Sequence, residues 1–201
     1  PGIVLHTLGG AVLAALVGLF PVRIPGTKTS LAGAELIIFL LLLVHGPAAA
    51  TIAAAAEAAI GSLRTSKRWT SRIGSPTMVA LAMYGCGTAF TLATTAARNE
   101  GVLNDSLLFI ALFAFALVYF ACSTLLMVSL IKLKQGAAID VRGILNENSW
   151  IGLAYLANAS SATLVFVSFD RVGLPVLLAA MPIIALFLFT INARFRRFDT
   201  V

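Results

Sequence analysis

Charge is what this chain has least of. Asp, Glu, Lys and Arg make up 11% of its residues, whereas a soluble domain uses about a quarter of its residues this way to cover its surface. So little charge argues against a soluble fold and leaves most of the outer surface to face lipid. Cysteine is equally sparse. Cys86 and Cys122 both lie inside apolar runs, which excludes a disulfide framework and reads as two small packed residues. There are only two histidines, His6 and His45. No GxSxG, Walker A, HExxH or CxxC pattern occurs, so no catalytic constellation is expected. The strict apolar–polar alternation of a membrane strand is missing too, which leaves helices as the spanning element. The first apolar run, 3–20, has neither a basic flank before it nor a cleavage site followed by a polar domain, and reads as a retained helix.

What is present is a series of apolar runs, at 3–20, 31–45, 47–63, 76–97, 106–133, 150–169 and 173–193. They predict an all-α fold: one integral membrane domain over 1–201, a polytopic transmembrane bundle of six to seven helices. A span takes about 20 residues. The second and third runs are shorter, so they form either short tilted spans or a re-entrant hairpin. If all the runs cross with the N-terminus outside, every one of the 14 Lys and Arg residues except Arg98 and Arg171 falls on one side. The positive-inside rule makes that side cytoplasmic, C-terminus included. The formal charge of +6 then reads as topology and attraction to anionic lipid headgroups rather than nucleic-acid binding. The expected location is a bacterial inner membrane.

The second and third runs meet at His45-Gly46-Pro47, where glycine and proline interrupt the helix. Each run carries one acid. Glu35 is eleven residues before Gly46 and Glu57 eleven after it. A hairpin folded at Gly46 therefore brings both carboxylates to one depth, roughly 16 Å from the turn at about 1.5 Å per residue. Thr29 and Ser30 are expected to cap the second run. The alanine-rich third run is expected in the middle of the bundle, because small side chains suit close helix contact. The segment 64–76 reads as a short basic loop with Arg64, Lys67, Arg68, Arg72 and an interfacial Trp69, followed by a helix starting at Pro76. The segment 132–150 reads as the one long polar connection. In the sixth run Asn158, Ser160, Ser161 and Thr163 sit at membrane depth and are expected to face the interior, where each needs a partner.

Intramembrane acids are costly and usually mark function. For Glu35 and Glu57 the structural alternative is pairing with the basic rim formed by Arg64, Lys67, Arg68 and Arg72; Glu57 and Arg64 lie about two turns apart on one face. Two nearby carboxylates also repel and can share a proton. His45 at the outer turn is a candidate ligand or pH-sensing group, with an ordinary interfacial histidine as the plain alternative. A metal centre joining the histidines to the acids is not expected, since they lie at different depths. No cofactor is indicated.

The stretch AELIIFLLLLVHGPAAATIAAAAEAAIGSLRTSKRWTSRIGSPTMVALAM, with Glu35, the Gly46-Pro47 turn, Glu57 and the Gly61–Pro76 segment, resembles the N-terminal multi-helix membrane sensor region of bacterial signalling proteins that carry GGDEF, EAL or HD-GYP domains. The Gly-Pro hairpin between short helices is also similar, more weakly, to substrate-binding subunits of ECF-type vitamin transporters. These resemblances imply an input or ligand-binding role. The cyclic di-GMP chemistry of such signalling proteins is not carried over, because the chain stops at Val201, shortly after its last run. A truncated product, or action through a separate partner, is expected instead. The sequence thus predicts a non-catalytic sensory or ligand-binding module that works through a membrane or cytoplasmic partner, with Glu35, Glu57, His45 and Asn158 as its ligand-binding residues. The alternatives are a structural accessory subunit of a larger membrane assembly and a small-solute uptake subunit.

Overall fold

The structure is a computed structural model that describes residues 2–18, 22–23, 30–31, 34–65, 67, 69–135 and 141–172. Helices dominate it, as the all-round apolar runs require. They are α1 (Gly2–Gly18), α2 (Glu35–His45), α3 (Pro47–Thr65), α4 (Trp69–Asn99), α5 (Asp105–Gln135) and α6 (Val141–Val172). Among the described residues the one extended feature is a short antiparallel pairing of β1 (Val22–Arg23) with β2 (Ser30–Leu31), Val22 opposite Leu31. The seventh apolar run, 173–193, lies outside the described residues.

Each helix from α2 to α6 packs on the next, and α6 returns to α2, which closes a ring; α1 lies in the groove between α2 and α3. The alanine-rich α3 touches α1, α2 and α4, with Ala49, Ala50, Ala53 and Ala54 buried. Phe39 of α2, fully buried, forms the centre of the ring. Its ring centroid lies 5.6 Å from Phe115, 6.3 Å from Tyr119 and 6.2 Å from Tyr155. Phe90 of α4 joins the cluster 5.3 Å from Phe115. Ring pairs at these separations attract beyond simple area burial. Close approach elsewhere depends on missing side chains. A methyl group at Gly10 would come within 2.7 Å of Leu41, and one at Gly87 within 3.2 Å of both Leu42 and Pro47.

α2 and α3 are joined by Gly46 alone. Its φ of 83° is open to glycine and strained for other residues. Its N–H donates to the Leu42 carbonyl and its own carbonyl accepts from the Ala50 N–H. Glycine therefore ends one helix and starts the next without a spare residue. α4 ends through Gly101 (φ 72°), with Val102 N–H on the Ala97 carbonyl and Gly101 N–H on the Arg98 carbonyl, the paired closure that satisfies terminal carbonyls. The Asn104 side chain then accepts from the Leu107 N–H and caps α5.

Three local expectations need correction. The residue before α2 is Ala34, with no side-chain cap, and Ser30 belongs to β2, so Ser30 is no helix cap; Thr29 lies outside the described residues. The basic segment before Pro76 is not a loop throughout: α4 begins at Trp69 and carries Pro76 inside it. Much of the supposed polar connection is also helical, since α5 reaches Gln135 and α6 starts at Val141. The expected partners for Ser160, Ser161 and Thr163 are supplied within α6 itself, where their hydroxyls donate to the Leu156, Ala157 and Ala159 carbonyls.

Among the described residues, two helical stretches, Trp69–Asn99 and Asp105–Leu130, are long and apolar enough to cross a membrane. Thr7–Val17, Glu35–His45 and Gly152–Ser168 are apolar but shorter. This is all-α architecture with membrane-compatible helices; it does not establish the larger set of crossings.

Candidate functional site

Glu35 is the first residue of α2 and is 7% exposed. Helix starts favour acids because their free N–H groups and dipole point at the carboxylate. That accounts for an acid in the first turn, though not for its burial. The Tyr155 hydroxyl of α6 donates to the Glu35 carboxylate. The second oxygen, Oε2, is fully buried and has no hydrogen-bond partner among the described residues. A buried polar atom without a partner costs about 1–3 kcal/mol, so this atom needs an explanation.

Glu57 of α3 lies near it. The hairpin brings the two carboxylates close enough for their charges to interact. Glu57 is half-buried. Tyr119 of α5 is buried, and it feels both carboxylates. Tyr155 feels Glu35, Glu57 and Tyr119. Glu35, Glu57, Tyr119 and Tyr155 come from α2, α3, α5 and α6, so four helices contribute one oxygen-bearing side chain each. The tyrosine rings are 5.7 Å apart and rest on Phe39, which roofs the acids with aromatic carbon.

The remaining sequence candidates are more scattered. His45 ends α2 beside the Gly46 turn, half-buried, at the opposite end of that helix from Glu35. Asn158 is half-buried on α6, one turn beyond Tyr155. Arg64 and Lys67 are exposed at and just beyond the end of α3, and Arg68 lies outside the described residues. The Arg72 guanidinium stands 5.7 Å over the ring of Trp69, which is 72% exposed.

Tyr119 and Tyr155 were missed by the sequence reading. A signal was available, because a buried tyrosine usually finds a hydrogen-bond partner for its hydroxyl, and both stand inside apolar runs that also had to face two acids. A second missed group is Ser62. Proline has no N–H, so Pro76 leaves the Arg72 carbonyl without its intrahelical donor. The Ser62 hydroxyl, buried on α3, donates to that carbonyl at 3.2 Å as well as to Ala59 at 2.9 Å. This bond lets α4 run through the proline and ties it to α3. Cys86 on α4 and Cys122 on α5 are free thiols, both half-buried.

Among these features, only the Glu35–Glu57–Tyr119–Tyr155 cluster combines buried charge, convergent helices and an unpartnered atom. Comparison with family models, curated proteins and solved structures found no match to this chain.

Proposed function

We propose that this chain is a non-catalytic, membrane-embedded ligand-binding module of sensory type, with its site at the acid end of the α2–α3 hairpin. The observation that carries the reading is the Glu35 carboxylate, buried beside Glu57 with one oxygen unpartnered. Buried ionisable groups inside a lipid-compatible bundle are generally retained for binding or transport. Exposed apolar side chains such as Leu13, Leu81, Leu92, Ile110 and Val118 suit lipid contact on α1, α4 and α5. The proposal extends to six or seven crossings of a bacterial inner membrane, N-terminus outside and C-terminus cytoplasmic. Support for that orientation comes from the basic residues, with exposed Arg64, Lys67 and Trp69 at the α3–α4 corner suited to anionic headgroups. Occupancy at the hairpin would pass to a membrane or cytoplasmic protein partner, as the resemblance to signalling sensor regions implies.

The test is a thermal-shift panel of small organic solutes, vitamins and amino acids included, on the protein in nanodiscs. A solute that raises the wild-type midpoint and fails to do so in Glu57→Gln supports the reading. Stabilisation unchanged by Glu57→Gln removes Glu57 from the site.

A second reading, a structural accessory subunit, has its own observation. Gly85, Ala89 and Ala93 are exposed at four-residue spacing on α4, and a side chain at Gly85 would meet nothing within 4 Å. Small residues at this spacing let a second helix approach in lipid. Co-purification with a stable complex favours this reading, and a free monomer counts against it. The uptake-subunit alternative predicts solute accumulation in vesicles with an energising partner.

A further inference from the structure

We propose that the α3–α4 corner is a binding site for the headgroup of an anionic phospholipid. This rests on the membrane-embedded reading above and names the lipid partner of its basic corner. Three contacts assemble the site. The Ser62 hydroxyl reaches the Arg72 carbonyl at 3.2 Å and pins the last turn of α3 to the first turn of α4. The Arg72 guanidinium stands 5.7 Å over the Trp69 ring, which fixes where its charge lies. Gly74 of α4 faces Leu130 of α5, whose side chain an added methyl group would meet at 3.1 Å. That contact sets the last turns of α5 beside the first turns of α4. Lys132 and Lys134, further along α5, therefore belong to the same end of the bundle as Arg64, Lys67 and Arg72.

Cations alone would suit any polyanion; the side chains among them select the occupant. Trp69 is 72% exposed, Ile73 63% and Leu63 55%. Trp69 and Ile73, four residues apart, share one face of α4. A nucleic acid or a free phosphate gives exposed Ile73 and Leu63 nothing apolar to rest on. A phospholipid sets its phosphate against the cations and its upper acyl carbons against those side chains. The depth agrees. The 31 residues of α4 run roughly 46 Å at about 1.5 Å each, against a hydrocarbon core of about 30 Å, so its end turns reach the headgroup layer. The stretch 61–76 contains no Asp or Glu, so nothing within it repels a phosphate.

The test measures the thermal midpoint of the full chain in a neutral maltoside detergent, titrated with phosphatidylglycerol, phosphatidylcholine or inorganic phosphate. The expected result is a saturable rise with phosphatidylglycerol that neither of the others reproduces. Arg64→Gln and Lys67→Gln each move half-saturation about fivefold upward, the loss of one basic contact at a membrane surface. Both side chains are exposed, so these variants leave the packing of the bundle intact. A second readout locates the lipid. In Trp150→Phe, where Trp69 is the sole tryptophan, phosphatidylglycerol with brominated acyl chains quenches the emission at the same half-saturation. Equal midpoints with the two lipids overturn the proposal, as does a phosphatidylglycerol response that survives the double Arg64→Gln, Lys67→Gln variant. An equal rise with inorganic phosphate assigns the corner to the free anion and likewise overturns it. So does a midpoint rise without quenching, which puts the lipid elsewhere. In each of these cases a Glu57-dependent response to an organic solute would still stand, so failure here is separable from failure of the ligand-binding reading.

Discussion

Two places in this bundle carry a polar group with no obvious partner, and the protein treats them differently. At the α3–α4 corner, Pro76 strips the Arg72 carbonyl of its donor, and Ser62 of the neighbouring helix supplies another. At the acid end of the hairpin, Glu35 receives one hydroxyl from Tyr155 and its second oxygen receives nothing. The first is a backbone defect repaired within the fold. The second is a deficit left standing among the described residues, and it is where a ligand is sought.

The sharpest way to break this contrast is to disturb the roof over the acids. Phe39→Ala opens a cavity among Phe115, Tyr119 and Tyr155 and is expected to lower stability by about 3 kcal/mol, read as a shift in a detergent-denaturation midpoint. A small loss would mean that the acids, not the rings, organise the centre. The repaired corner comes next. Ser62→Ala should cost about 1 kcal/mol in the wild-type background and almost nothing once Pro76→Ala restores the Arg72 carbonyl's own donor. Equal losses in both backgrounds would show that Ser62 acts through Ala59 or packing instead. The acid end should respond with the opposite sign. Glu57→Gln replaces one of two neighbouring acids by a neutral amide of the same shape, so it should raise stability by up to about 1 kcal/mol, as substitutions at functional sites often do. A loss there would place Glu57 with the structural residues. The smallest effect belongs to Trp69→Leu, about 0.5 kcal/mol from its contact with Arg72, measured as weaker stabilisation by anionic over neutral lipid.

The hairpin was legible in the sequence because its causes are local. Gly46 and Pro47 restrict the chain wherever they occur, and equal spacing of Glu35 and Glu57 about the turn follows from helix rise alone. The start of α4 was not legible. Pro76 reads as a helix start until a hydroxyl from fourteen residues upstream is known to satisfy the carbonyl it frees. The helical content of 141–149 was hidden by a polar composition that also suits a connection. Tyr119 and Tyr155 could be named as tyrosines within apolar runs, but which helix face met the acids depended on α6 returning to α2, a pairing that no local pattern announces. The count of crossings rested on total charge asymmetry, whereas among the described residues length and apolarity single out α4 and part of α5.

Gly46 has a mechanical consequence. A longer loop would act as slack and absorb displacement of one helix relative to the other. Here a lone residue, bonded to both neighbours, leaves no slack. Any change in separation between the distant tips of α2 and α3 must be taken up as a change of angle at this pivot, and Gly87 seated against Pro47 would feel that rotation first.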